Sequence, residues 1–508
     1  MVIYSLPVTT FFSATIDSSV LQQQAMSSCL ASLQAPAAMN VDDPYDLVRM
    51  QFPFFRVLPQ QKQKQKKSLV FMENAGGSQC PAVVIDAMAE YMRFCYAQPG
   101  SRYAISTLAE HVIKSARDFV RVFVNADNQG DVAFGASTSQ LLAMLGICYG
   151  RVLQRGDEVI VHEANHEANV APWVRMAEQA GLSLKFWLLN HESFESNLDE
   201  LGQLLSPRTR IVAVTHVSNL LGEVLDLEKV VRYVKERVGC SKVRVVADGV
   251  AYAPHRALDV AKWGVDWYVF STYKVYGPHM AVLFGTMEAF MDVKEVAPNF
   301  DFISSGDLSK KFELGGVCHE GCAGILALAL YINFLARLGR NQETSEDSKL
   351  TGEVLDTESK LQKQAVDSEV FELMLRTSPL INRGVIEAAF DFATQLEQPL
   401  QKMLISYLKS NEDVIILGPR HSNVETRVPT ISFIHKCKTS SEISQKLCEA
   451  GYAIRNGHMY AYRLVARLTE EHKLLSNTID DGVVRISMVH YNTPAEVTQL
   501  IACLDVIL

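Results

Sequence analysis

A single lysine, Lys274, stands in the stretch FSTYKVYGPH, directly after an apolar run and directly before a Gly-Pro turn. A second apolar run, VRVVADG, carries Asp248 at its end. Two neighbouring strand tips that present an amine and an acid suit pyridoxal phosphate. Lys274 would form a Schiff base with the aldehyde, and Asp248 would pair with the pyridinium nitrogen. That pairing keeps the ring nitrogen protonated, which lets the cofactor accept electrons from a substrate Cα. Each residue alone has a plainer reading, the acid as a helix N-cap and the amine as a surface cation. The phosphate needs its own cradle, and FGASTSQLL offers one. Gly135 permits a tight turn, Ala136, Ser137 and Thr138 present backbone N–H groups, and the helix that follows points its positive end at the anion. The same four residue types also make an ordinary helix cap.

These residues need a scaffold that brings strand ends together. Between residues 131 and 286, β-branched runs alternate with segments of helical period: VAFGA, SQLLAMLGICYGRVL, DEVIVHEA, VAPWVRMAEQAG, RIVAVTHVS, LEKVVRYVKERV, VRVVADGV, DWYVFS and MAVLFGT. This alternation predicts an α/β fold, a mainly parallel sheet with helices on both faces, whose ligands bind at the carboxyl ends of the strands. A helical run, GCAGILALALYINFLARLG, is followed by the polar stretch NQETSEDSKLTGEVLDTESKLQKQ, expected to be a solvated insertion near 341–380. Beyond it, VIILGP, TISFIHK, SSEISQKLCEAG, VVRISMVHY and PAEVTQLIACLDVIL predict a smaller α+β domain. The expected division is a poorly ordered extension over 1–40, a large cofactor domain over 41–320 whose first segment contributes to the smaller one, and a small domain over 321–508.

Composition narrows the partners. The chain has 508 residues, 48% hydrophobic and 21% charged, with a formal net charge of −9, enough for a large core and more than one domain. The acidic balance argues against a duplex nucleic-acid binder, which neutralises phosphates with clustered Lys and Arg. No run is expected to be apolar enough to span a membrane. The first Lys or Arg is Arg49, so a basic targeting segment is not expected either. Ten cysteines lack framework spacing, which fits a reducing, cytoplasmic setting. CHEGC, Cys318 to Cys322, has no second ligand pair nearby, so no metal site is expected.

The ordered series NAGGSQCP, FGASTSQ, NHEANVAPW, HVSNLLGEVLDL, VADGVAYAPH, VFSTYKVYGPH, FELGG and VVRISMVHYNTPAEV resembles the class V aminotransferase family, in particular its cysteine desulfurase-like members. The resemblance runs from about residue 45 to the C-terminus. It implies a fold type I pyridoxal phosphate-dependent transferase with a seven-stranded-type sheet, acting on an amino acid as a homodimer. It further implies that Lys274 is the Schiff-base lysine, that Asp248 pairs with the pyridine nitrogen, and that His166 stacks on the cofactor ring. Asn219 would meet the phenolic oxygen or the substrate. Ala136, Ser137, Thr138, Ser271 and Tyr273 would hold the phosphate, and Arg485 would grip the substrate carboxylate, with Asn74 and Arg455 beside it. His319 lies in a loop that is close to the active site in relatives.

This sequence departs from the pattern in ways that bear on the reaction. Desulfurases that resemble it carry a cysteine after an Arg-x-Gly-His-x motif, where RNGHMYA places Tyr460. A tyrosine has no thiolate and cannot carry a persulfide. Cys437 and Cys448 read as packing residues. Ala251 replaces a glutamine, Asn165 stands where a carboxylate is common, and Gly316 stands where a threonine often crosses a dimer interface to the phosphate. The expected chemistry is lyase or transaminase through Lys274. An epimerase, or an inactive protein of the same fold, is the alternative.

Overall fold

Seven strands form the large sheet: β2 (Gly130–Gly135), β3 (Glu158–His162), β4 (Ser183–Trp187), β5 (Thr209–Thr215), β6 (Arg244–Asp248), β7 (Trp267–Ser271) and β8 (Ala281–Thr286). The computed structural model describes residues 43–56, 69–126, 128–239, 242–300, 303, 307–343, 374–375, 381–470 and 478–508. The expected extension over 1–40 lies outside the described residues, as does nearly all of the insertion near 341–380. Strand order is β2-β8-β7-β6-β5-β3-β4. β4, β3, β5, β6 and β7 are mutually parallel, and β8 is antiparallel to both of its neighbours. Two antiparallel steps turn β2 back to the common direction. Its carboxyl end therefore reaches the same edge of the sheet as those of β3, β5, β6 and β7.

Strand periodicity explains why both faces are covered. Side chains alternate between faces, and every residue of β6 and β7 is buried. Val245, Ala247, Tyr268 and Phe270 enter one core cluster, whereas Val246, Trp267 and Val269 enter the other. The first cluster is roofed by helices Ala82–Phe94, Ala104–Phe123 and His319–Glu343, and the second by Thr138–Val152 and Ala171–Ala180.

A four-stranded antiparallel sheet, β12-β13-β10-β9, is built from β9 (Val414–Leu417), β10 (Thr430–His435), β12 (Arg455–Gly457) and β13 (Val483–Ser487). Beside it, β1 (Val70–Phe71) pairs in parallel with β11 (Tyr452–Ala453). Met72 belongs to this smaller core. The helix Arg383–Ser410 serves both cores: Ile386 to Leu396 pack against the large sheet and Leu400 to Leu408 against the small one, with Pro399 between them.

Three expectations need correction. The helix His319–Glu343, assigned from sequence to the small domain, buries Cys322, Ile325, Leu326 and Ala329 in the core of the large sheet. The same helix is long and apolar enough to cross a membrane, with 72% of its apolar window buried inside the fold. It reads as a core helix because its apolar residues face protein on most sides. Finally, β4 went unrecognised, since SLKFW leaves only Trp187 fully covered at the edge of the sheet.

The turn after β5 depends on Gly222. It has a φ of +69°, and an added Cβ would lie 2.2 Å from the Thr430 carbonyl oxygen. Left-handed strain and overpacking together predict that Gly222→Ala destabilises the fold by about 3 kcal/mol. Urea denaturation would check this, and a loss under about 1 kcal/mol would mean that the turn relaxes.

Candidate active site

The turn that follows β7 carries Lys274, and residues 73–79 run across it as a strap. Lys274 Nζ donates to the Ala75 carbonyl at 2.7 Å. Ser78 Oγ donates to the Tyr273 carbonyl at 3.0 Å and accepts from the Tyr276 N–H at 3.0 Å. The strap is in turn tied to the segment after β13. Asn74 Nδ2 donates to Ser487 O at 2.8 Å and to Asn492 Oδ1 at 3.1 Å, while Asn74 Oδ1 accepts from the Tyr491 hydroxyl. Both donors of the Asn74 amide are thereby committed to the scaffold. The structure places this residue as an anchor of the strap, which is a different position from the substrate contact expected from sequence.

Lys274 is buried, and among the described residues no carboxylate forms an ion pair with it. Burial pulls its ammonium down to about 8, the cation of Arg485 adds to the fall, and Asp248 opposes it. Asp248 ends β6, the central strand of the sheet order, with Oδ1 accepting from Val250 N–H at 2.9 Å. Burial pushes its carboxyl up to about 6, against the pull of Lys274. Both groups are thus brought toward neutral pH by desolvation.

His166 follows β3 by four residues. Its Nδ1 accepts from Ala168 N–H at 3.0 Å, so the ring proton sits on Nε2. Burial, followed by the charges of Lys274 and Arg485, lowers this histidine to about 4. The imidazole is therefore neutral at pH 7. Asn165, beside it, turns into the sheet, where Nδ2 donates to Ala213 O at 2.9 Å and Oδ1 accepts from Asn169 Nδ2 at 3.0 Å.

At the end of β2, Ser137 caps the helix Thr138–Val152 by accepting from Gln140 N–H at 3.2 Å. The exposed Ala136 N–H donates to Gln140 Oε1 at 3.0 Å. Thr138 Oγ1 lies 3.4 Å from Ser271 Oγ, and Ser271 also bonds the Tyr273 phenol. Three hydroxyls therefore gather at a helix N-terminus.

Arg485 reaches this edge from β13. It is 3% exposed, and Nη1 donates to Asn219 O at 3.1 Å while Nε has no partner among the described residues. Asn219 Nδ2 donates to Met459 O at 2.8 Å, and its Oδ1, also buried, has no partner among the described residues. Arg455 stands opposite Arg485 in the β12–β13 register. It is half-exposed, and Nη1 lies 3.3 Å from Glu73 Oε1.

Tyr460 belongs to a fixed turn. Met459 and Tyr460 have φ values of 48° and 62°, left-handed conformations that cost energy in non-glycine residues. Three bonds hold the turn: Asn219 to Met459 O, Glu167 N–H to Tyr460 O at 2.8 Å, and Tyr460 N–H to His458 Nδ1 at 3.0 Å. The tyrosine ring centre lies 5.2 Å from that of His166. Lys274, Asp248, His166, Asn219 and Arg485 are brought to one edge, and the Tyr460 turn joins them there.

Other expected residues fall elsewhere. Cys437 and Cys448, read as packing residues, are exposed. Ala251 packs against Val217 and Val428. His319 lines a cavity of about 690 Å³ with Ala136, His279 and Gly316, and that cavity includes none of Lys274, Asp248 or His166. The strap residues Glu73, Ala75 and Ser78 and the turn residues His458 and Met459 went unnoticed in sequence. Only the density of small and polar residues in ENAGGS hinted at the first three.

A lysine and an aspartate on adjacent strand ends, beside a capped helix and a buried arginine from a second sheet, define a protein of the fold type I pyridoxal phosphate class. The family model described as aminotransferase class-V matches residues 70–369 and 384–500, and the chain belongs to that family, among its cysteine desulfurase-like members. It is 31% identical over 469 residues to the aminotransferase-like protein FGM3 of Gibberella zeae, covering 91% of this chain and 98% of that one. A cysteine desulfurase of Yersinia pseudotuberculosis is 25% identical, with 91% and 98% covered. The fold is similar to that of the apo cysteine desulfurase from Thermococcus onnurineus, with a TM-score of 0.68 at 21% identity, covering 93% of this chain and 99% of that one.

The buried lysine has a thermodynamic signature. Its folded-state value of about 8 lies below the ordinary 10.5, so the unfolded chain holds the proton more tightly between those pH values. The resulting penalty is full below about pH 8 and fades as pH rises toward 10.5. Cofactor-free Lys274→Met should exceed wild type in stability by on the order of 3 kcal/mol at pH 7, and the gap should close in alkali. Urea midpoints measured at several pH values check this, and a pH-independent gap would show that the ammonium is solvated.

Proposed function

We propose that the chain is a pyridoxal phosphate-dependent enzyme that acts on an amino acid, with lyase or transaminase chemistry. The observation that carries this reading is the desolvated Lys274 ammonium held beside Asp248 at the carboxyl edge of the sheet. Two buried polar atoms without partners, Asn219 Oδ1 and Arg485 Nε, face the same problem from the other side. Buried polar groups are costly unless bonded, and a polar ligand between these atoms would satisfy them. The residues present therefore fit the cofactor and its substrate.

When bound, the cofactor supplies an electron sink for a substrate Cα carbanion. The protein's residues supply the rest. Lys274 holds the cofactor aldehyde and then moves the proton at the substrate Cα, a task suited to an amine tuned to about 8. Asp248 holds a proton on the ring nitrogen. Neutral His166 offers its flat face to the ring without adding a charge. Ala136 N–H and the hydroxyls of Ser137, Thr138, Ser271 and Tyr273 hold the phosphate at the helix N-terminus. Arg485 binds the substrate carboxylate, Asn219 Oδ1 accepts from the cofactor phenol or the substrate ammonium, and Arg455 adds a cation at the mouth.

Tyr460 stands where a sulfur-accepting cysteine would be, in a turn fixed by three hydrogen bonds. This supports a reaction that ends without persulfide transfer. A two-fold dimer is part of the same proposal. Exposed Tyr96 and Leu314 line the cavity that reaches Ala136, and a second copy would cover them.

Purified protein with added cofactor should show an absorbance band near the visible edge that Lys274→Ala abolishes. No band in the wild type would sink the enzyme reading. Arg485→Ala should keep the band and weaken amino-acid binding by roughly a hundredfold, measured by spectral titration across an amino-acid panel. Loss of the band instead would assign Arg485 a structural role. Sulfide release from cysteine should stay at background in the wild type, and fast release would show that a residue other than Tyr460 carries sulfur.

A further inference from the structure

Behind the Lys274 turn lies a buried chain of three side chains that the proposed chemistry does not use. His490 is fully buried. Its Nδ1 lies 3.1 Å from the Tyr276 hydroxyl, and its Nε2 lies 2.5 Å from the Tyr331 hydroxyl. The Tyr276 hydroxyl also donates to the Pro254 carbonyl at 2.9 Å. A carbonyl can only accept, so the single phenolic proton of Tyr276 is committed to Pro254. Tyr276 must therefore accept from His490, which puts the imidazole proton on Nδ1. Nε2 is left bare and accepts from Tyr331. One proton arrangement satisfies all four groups, and it requires a neutral histidine. Burial, which holds His490 down at about 4, maintains that state.

The chain ends on a strained backbone. Tyr276 has a φ of +62°, in a region that bulky residues occupy only when the surroundings fix them. It comes directly after the short helical turn Thr272–Lys274 and the Val275 cap. Its N–H is bonded to Ser78, and the next N–H, of Gly277, returns to Thr272 O at 2.9 Å. The left-handed bend at Tyr276 thus closes the loop on which Lys274 is mounted. Aromatic edges confine the same ring: Tyr276 meets His490 at 4.8 Å and 89° between ring planes, and Phe52 at 6.2 Å.

We infer that His490 is a positioning residue for Lys274, acting through the Tyr276 hydroxyl to hold the left-handed bend that fixes the lysine turn. The inference rests on the proposed role of Lys274 and adds a residue from the far side of the fold to it. Only a neutral imidazole donates at one end and accepts at the other across this span. Leucine fills similar space with neither bond, and asparagine can restore the donor toward Tyr276.

The test uses cofactor-free full-length protein, so it stands apart from the absorbance experiment above. Amine acetylation by acetic anhydride, quantified by mass spectrometry on the peptide containing Lys274, reports the midpoint of the Lys274 ammonium against pH. Asp248, Glu73, Arg485 and Arg455 set the charge around the lysine, and Glu397 and His255 set it around His490; all remain in every variant. In His490→Leu and in Tyr276→Phe the midpoint should rise by about half a pH unit or more as the lysine gains solvent. The double variant should add nothing further, and His490→Asn should restore the wild-type midpoint. A midpoint unchanged in Tyr276→Phe, which keeps the ring and removes one oxygen, overturns the inference. So does a lowered melting temperature in His490→Leu with the Lys274 midpoint unmoved, which would make His490 a packing residue alone.

Discussion

Desolvating one ammonium is the constraint on which the rest of this molecule is arranged. Lys274 sits below solvent at the carboxyl edge of a sheet buried on both faces, and its hydrogen bond is to a peptide carbonyl, that of Ala75. A neutral oxygen stabilises a cation far less than a carboxylate would, so the amine stays easy to deprotonate. Burial and the nearby cations maintain that imbalance against Asp248 and Glu73, which oppose it. Arg485 and Arg455 push the proton off, Glu73 is occupied with Arg455, and Asp248 is itself pulled toward neutrality.

The positions that hold the lysine explain how much could be read from the chain alone. Strand ends were readable because β6 and β7 are short, wholly buried runs, and Asp248 and Lys274 fall just where those runs stop. His166 and Asn219 each follow their strands by four residues, and it was the family resemblance that singled them out. Direction was not: β8 looks like any other apolar strand in sequence, and only its short connection to β7 forces it antiparallel. The strap was hidden for a different reason. Its contacts span up to 418 positions, so no local period or turn signature records them. Asn74 was named through the family resemblance, yet its amide serves the scaffold. His490 was quoted within a motif and assigned nothing, since its role depends on two tyrosines from other segments.

The smaller sheet contributes by reaching over. Arg485 and the Tyr460 turn come from it, and both dock on the segment after β5 through Asn219. Here two left-handed residues are held by bonds from Asn219 and Glu167, so the turn is part of the wall. The small sheet thus closes this side of the site with a tyrosine held in place by its backbone.

Chain order adds a temporal meaning to the strap. Residues 70–75 find their partners at 452–453 and 487–492, so the roof over the lysine joins segments up to 418 positions apart. A ribosome releases a chain from its N-terminus at roughly 5–20 residues per second. The sheet and its lysine can emerge and pack well before the second half of the roof exists. For that interval the lysine lacks the anchored strap and the Arg485 cation that lower its basicity in the folded protein. The desolvated state of the amine therefore awaits residues 485–492, which follow every strand of the large sheet in the chain.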